Sequence, residues 1–322
     1  MDTLVIIILL SFGSILGGYL FNLLCVKTKL LNPAQIASFS RKAKEFTVNV
    51  LIPVTILSAF WKISLADGRL LWLPLLGILM LLVGGSAALL FNRRFQIPPS
   101  RAAAVFTCGM LTNMAVYPGF IGFMVFGEKG FMMTQLMSLL ELFTYYLVSF
   151  PLSNMINKGT IKSFRLDSSF IKDRPANFIP LAAIISGLLL HHFQVGYPHV
   201  LDYAMKIIIP STTGIMGLSI GVTIKFRKIG SYKKEVALVS AIKFLIVPVV
   251  VITAAYLLGM NTVMDGIAFK MVILHTLMPV AFLASVPPVL YGFDLDLTNS
   301  AWIVTNILAL CVAIPVFYLI VA

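Results

Sequence analysis

Apolar residues in this chain gather into runs of about twenty, the length needed to cross a hydrocarbon core of roughly 30 Å as a helix. Ten such runs stand at 3 to 25, 45 to 61, 70 to 91, 102 to 126, 131 to 154, 177 to 195, 199 to 222, 236 to 259, 267 to 290 and 298 to 321. Short polar and basic segments separate them, so the pattern predicts ten membrane-spanning helices, numbered here as spans one to ten. Two runs are interrupted at mid-depth by proline and polar residues, span four at Asn113 to Pro118 and span nine at Pro279 to Pro288. A helix that stops inside a bilayer exposes N–H and C=O groups that lipid cannot satisfy. Such a break persists only where it is buried in protein or lines a site.

Composition agrees with this reading. Hydrophobic residues make up 59% of the 322-residue chain and charged residues 11%, far from the balance of soluble domains. The formal charge of +12 would suit a nucleic-acid binder, but its placement argues for topology instead. Of 24 basic residues, eighteen lie in alternate loops, among them Lys27 to Lys44, Arg93 to Arg101, Lys158 to Arg174 and Lys225 to Lys234; the opposite loops hold only Lys62, Arg69 and Lys129. The positive-inside rule makes the rich loops cytoplasmic and places both termini outside, in a multi-pass protein of the cell (inner) membrane with no nucleic-acid role. Span one begins Met1-Asp2-Thr3 without a basic leader, as a retained helix does. Cys25, Cys108 and Cys311 lie in or beside apolar spans without metal-ligand spacing and are expected to pack.

The longest charged connector, 157 to 176, divides the chain into five-span halves, 1 to 156 and 177 to 322. An odd number of spans per half inverts the second relative to the first. The predicted fold is therefore an all-α membrane protein, ten transmembrane helices forming two inverted five-helix repeats with crossed, broken helices four and nine. Internal echoes support the repeat: Leu51-Ile52-Pro53-Val54-Thr55 resembles Ile208-Ile209-Pro210-Ser211-Thr212, and Phe126-Gly127-Glu128 resembles Tyr291-Gly292-Phe293-Asp294.

Within span four, Pro118 is expected to remove a donor and crowd the Met114 carbonyl, leaving Thr112, Asn113 and Tyr117 beside freed backbone groups. Span nine offers Pro279, Ser285 and Pro287 in the same way. If the breaks cross at the midplane, their half-helix N-termini supply partial positive charge, which favours a small organic anion such as a carboxylate. Asn49, one turn before Pro53 in span two, is a further candidate for the lining. Ionisable residues inside spans are costly and mark coupling: Glu141, Lys243 and His275 are the candidates. Glu141 is either a proton carrier or a structural partner of Lys243, and His275 either titrates or packs through a hydrogen bond. Enzymatic signatures are missing from the sequence: it has no Asp-rich prenyl diphosphate motif, no His-Glu-x-x-His, no Gly-x-Ser-x-Gly and no phosphate-binding glycine loop. No enzyme activity, cofactor or metal is expected.

Several motifs in order resemble the auxin efflux carrier family, including its bacterial malonate- or malate-permease members. They are Met278-Pro279-Val280-Ala281, Leu290-Tyr291-Gly292-Phe293-Asp294, the span from Asn299 to Leu310, Ile209-Pro210 with Gly214 and Gly217, and Asn113 with Phe126-Gly127-Glu128-Lys129-Gly130. Where the family usually carries Gly-x-Pro ending seven residues after the asparagine, this chain has Pro118-Gly119-Phe120, which keeps a break but moves its register by two residues. The resemblance implies a secondary carrier in which spans four and nine cross. Spans one, two, six and seven would form a scaffold, often a homodimer, against which the rest moves in an elevator-like or rocking step. H⁺, or Na⁺, would be the coupling ion. A Na⁺-coupled carrier of the bile-acid type and a non-transporting membrane sensor are the alternatives.

Overall fold

The computed structural model describes residues 3–28, 31–62, 67–159, 179–222 and 229–321. The termini Met1, Asp2 and Ala322 and most of the 157 to 176 connector lie outside the described residues. Among the described residues every extended element is helical, and the protein crosses the membrane several times. Among the described residues, seven helices are long and apolar enough to span a bilayer: Thr3–Thr28, Ala34–Trp61, Gly68–Arg94, Val116–Asn157, His199–Gly221, Gly230–Leu257 and Leu295–Val321. Shorter apolar helices run over Ile179–His192, Ile267–Thr276 and Phe282–Tyr291.

The difference from ten apolar runs has a local cause. Span nine is cut into pieces too short to cross alone, the described helix of span six, Ile179–His192, has 14 residues, and the second piece of the broken span four is merged with span five in one stretch that reverses at Gly127. That glycine has φ +63° and ψ −148°, a conformation costly for any residue with a Cβ. The rings of Phe123 and Phe131 stand 6.4 Å apart, centroid to centroid, across the resulting hairpin. Eight residues of uninterrupted helix would separate them by about 12 Å.

The chain divides into two compact units that interleave along the sequence. One comprises Met1–Ala66, Gly119–Gln135 and Ile171–Ile224, and so contains spans one, two, six and seven with the hairpin tip. Its second helix starts on a capping box, in which Asn32 Oδ1 accepts the Gln35 N–H (2.8 Å), Gln35 Oε1 accepts the Asn32 N–H (2.9 Å), and Pro33 opens the helix. Ser40 Oγ then donates to the Ser219 carbonyl at 2.8 Å, and Ser58 and Tyr197 share a 2.6 Å hydroxyl contact. At the hairpin tip Glu128 meets Lys62 (2.5 Å), which also pairs with Asp202 (2.7 Å). Burial alone would lower the Lys62 pKa, but its hydrogen bonds to Asp202 and Glu128 hold it above the ordinary lysine value.

The second unit, Asp67–Pro118, Leu136–Phe170 and Lys225–Ala322, contains spans three, eight and ten and both breaks. Its core is close-packed apolar side chains, Leu73, Met80, Leu81, Ala88, Phe106, Val239, Ile242, Met271, Leu274 and Val280, each almost wholly buried. Helix Gly68–Arg94 lies against Pro99–Met110 so closely that a Cβ on Gly84 would overlap the Gly109 carbonyl. Gly84→Leu is therefore expected to cost about 3 kcal/mol or more through overpacking, read as a lower melting temperature in detergent. At one end of this unit Asp294 Oδ1 caps helix Leu295–Leu308 by accepting the Leu297 N–H (2.9 Å) and takes the Tyr232 hydroxyl at 3.1 Å.

Among the described residues, four helices carry a wide, five-residue π-turn followed at once by a proline in the next segment: Thr47–Leu51 before Pro53, Tyr145–Ser149 before Pro151, Ile242–Ile246 before Pro248, and Ala309–Ala313 before Pro315. A proline inside a helix has no N–H and its ring crowds the carbonyl four residues back. One extra residue in the preceding turn relieves that crowding and lets the helix continue.

Candidate functional site

In the second unit, helix Pro99–Met110 ends at Met110, residues 111 to 115 are not helical, and a new helix begins at Val116. In span nine, helix Ile267–Thr276 ends before Pro279, and a short 3₁₀ turn, Phe282–Ser285, leads into Val286–Tyr291. The two breaks meet. Thr112 and Val280 form an antiparallel β-bridge, the Asn113 N–H donates to the Pro279 carbonyl at 3.0 Å, and the Ala281 N–H donates to the Leu111 carbonyl at 3.2 Å. Each interrupted span thus supplies backbone partners for the other, which is how irregular backbone is tolerated at membrane depth.

The prolines do not all act as the sequence predicts. Pro118 is the third residue of the helix that starts at Val116, so it initiates a helix where the sequence reading made it the breaker. Pro287 and Pro288 likewise stand in the first turn of Val286–Tyr291. First-turn N–H groups have no intrahelical acceptor, so proline loses nothing there. Of the four, only Pro279 lies within a break.

Three side chains brace the crossing. Tyr145, from the π-turn of span five, donates its hydroxyl to the Thr112 carbonyl (2.5 Å) and accepts the Thr112 N–H (3.1 Å). Lys243, from the π-turn of span eight, donates to the Leu111 carbonyl (3.0 Å) and to Thr112 Oγ1 (2.5 Å). Thr305, from span ten, accepts the Val280 N–H at 3.3 Å. Two of the three come from π-turns, and the extra residue in such a turn changes the face on which the side chains that follow emerge.

Lys243 is 1% exposed, and its ammonium pairs with no carboxylate among the described residues. The pairing with Glu141 considered from sequence is thereby corrected: Lys243 reaches the carbonyl and hydroxyl oxygens of the span-four break. Glu141 is half-buried and interacts with the Tyr145 hydroxyl one helical turn on. His275 is buried, its Nδ1 2.7 Å from the Met271 carbonyl, to which a proton on Nδ1 donates; Nε2 is buried without a hydrogen-bond partner among the described residues.

Thr112 is nearly inaccessible, with its hydroxyl, N–H and carbonyl all bound within the protein. Asn113 is half-buried; its Oδ1 accepts the Tyr117 N–H at 3.4 Å, capping the new helix, while its amide nitrogen has no acceptor among the described residues. The Tyr117 hydroxyl is buried without a partner among them. Ser285 is half-buried and returns its hydroxyl to the Phe282 carbonyl at 2.9 Å. Asn49 is an exposed residue of the π-turn Thr47–Leu51, in the other unit. The structure thus brings Thr112, Asn113 and Pro279 together with Lys243. Sequence reasoning missed Tyr145 and Thr305.

No family model matches the sequence. Over 280 residues, covering 84% of this chain and 85% of the relative, the sequence is 25% identical to an uncharacterized transporter of Methanothermobacter thermautotrophicus. The likeness runs through most of both chains. Resemblance to the auxin efflux carriers rests on the sequence motifs.

Proposed function

We propose that this protein is a secondary carrier that moves a small organic anion, a carboxylate, across the membrane by alternating access. The observation that carries the reading is the paired crossing of two interrupted spans around a buried ammonium that has no carboxylate partner among the described residues. A buried cation without an anionic partner creates a positive potential that a mobile anion can satisfy. The N-terminus of the helix at Val116 adds partial positive charge beside Asn113. The distant relative is named a transporter, in keeping with this reading.

Asn113, Tyr117 and Ser285 then line the substrate path, the Asn113 amide nitrogen and the Tyr117 hydroxyl with no hydrogen-bond partner among the described residues. A proton is the coupling ion, taken up at Glu141 or His275. Inverted five-helix repeats are supported by the recurrence of a π-turn and proline in spans five and ten. The grouping of spans one, two, six and seven in one unit supports their role as scaffold, with the unit that holds the crossing moving as a body.

Counterflow in proteoliposomes tests the proposal. Vesicles loaded with an unlabelled mono- or dicarboxylate are expected to accumulate the labelled compound transiently, equally in sodium and in choline buffer. Absence of exchange across a panel of carboxylates at pH 5 to 8 would reject a carrier of such anions.

A further inference from the structure

Lys243 does more at the crossing than supply charge. Leu111 follows the last residue of its helix, so its carbonyl belongs to the group that a helix end leaves without intrahelical donors. It accepts the Ala281 N–H from span nine and, on its remaining capacity, Lys243 Nζ. The second oxygen at Nζ, Thr112 Oγ1, is held in place because Tyr145 clamps both backbone groups of that residue. Freed carbonyls and hydroxyls at an unwound span are the ligands with which discontinuous membrane helices hold monovalent cations. A lysine ammonium is a compact point charge on a flexible stem and can occupy such a position.

We propose that the Lys243 ammonium is a tethered cation, standing where a free monovalent cation would otherwise sit between the Leu111 carbonyl and Thr112 Oγ1 and fixing the span-four break in the form that pairs with span nine. Span eight delivers it through the π-turn Ile242–Ile246, and the protein thereby carries its own counter-charge at the crossing. A cation fixed by a covalent stem cannot be exchanged with solvent. The crossing is complete in any salt, and binding of an anion needs no accompanying sodium. The last consequence rests on the carrier reading; the structural role does not.

Melting temperatures of purified protein test the role without any transport measurement. Wild type is expected to melt at the same temperature in sodium, potassium and choline chloride. Lys243→Ala opens the two oxygens and leaves space for a cation. It is expected to melt several degrees lower in choline and to recover as sodium, potassium or propylammonium is added, as binding to the folded state alone requires. Lys243→Met fills the space without charge and is expected to stay low in every salt. The idea is overturned if wild type itself is stabilised by sodium over choline, if Lys243→Met melts like wild type, or if no cation restores Lys243→Ala, including the case in which that variant is unfolded in all of them. Counterflow by wild type in the same buffers separates this result from the carrier reading. Cation-restored Lys243→Ala without any carboxylate exchange by wild type would keep the tethered cation and reject the carrier.

Discussion

Tyr145→Phe is expected to lower the melting temperature by several degrees and to remove carboxylate exchange, although it deletes a single oxygen. That oxygen binds both the N–H and the carbonyl of Thr112. Phenylalanine keeps the ring and its packing but leaves two buried backbone groups without partners, at about 1 to 3 kcal/mol each. Hydrogen bonds between helices in membranes are worth less on average, because a loosened segment finds other partners. Thr112 has little such freedom: Asn113 and Leu111 on either side are bonded to Pro279 and Ala281. A loss of about 4 kcal/mol follows from two groups near the middle of that range. The functional loss has a separate cause, since Thr112 Oγ1 receives Lys243 and a shift of the Thr112 backbone moves the ammonium with it. A variant that melts like wild type would show that water or another side chain replaces the hydroxyl.

The contrast between Tyr145 and Asn113 explains what the sequence makes legible. Breaks at mid-depth can be read because proline and asparagine are rare enough inside an apolar run to stand out, and because a bilayer gives unpaired backbone no alternative partner. Their register cannot be read as well. Pro118, Pro287 and Pro288 mark where a helix restarts, and the irregular stretch lies just upstream of each, since a proline is tolerated in a first turn. Tyr145 and Thr305 are ordinary residues of apolar spans, and nothing in their own sequence surroundings marks them. Thr305 even returns its hydroxyl to the Ala301 carbonyl of its own helix at 2.8 Å, as threonines in membrane helices commonly do. Their significance comes from contacts across more than twenty residues of chain.

A partial signal existed. Pro151 and Pro248 follow Tyr145 and Lys243 by six and five residues, and a proline well inside an apolar span demands a local accommodation upstream. In both spans the accommodation is a π-turn whose first or second residue reaches the crossing. The residues upstream of such prolines thus include Tyr145 as well as Lys243, which its charge inside an apolar run already marks. The interleaving of the two units is marked in no single segment, because it depends on which helices pack together; in the sequence it is implied by the family resemblance alone.

Asn113→Asp is expected to leave the melting temperature close to that of wild type and to reduce carboxylate exchange by at least about tenfold, the equivalent of 1.4 kcal/mol. Either carboxylate oxygen can still accept the Tyr117 N–H, and an anionic cap is favourable at the start of a helix, so the fold keeps what Asn113 gives it. What changes is the outward group. The amide nitrogen, a donor without an acceptor among the described residues, becomes an oxygen that carries negative charge and repels an anionic substrate. Asn113→Ala loses the cap as well, at about 1 kcal/mol, and is expected to show both a lower melting temperature and no exchange. The pair of variants therefore separates the two roles of the residue. Exchange retained in Asn113→Asp would place the amide outside the substrate path, and a large fall in its melting temperature would show that the aspartate is taken up by Lys243 at the expense of the crossing.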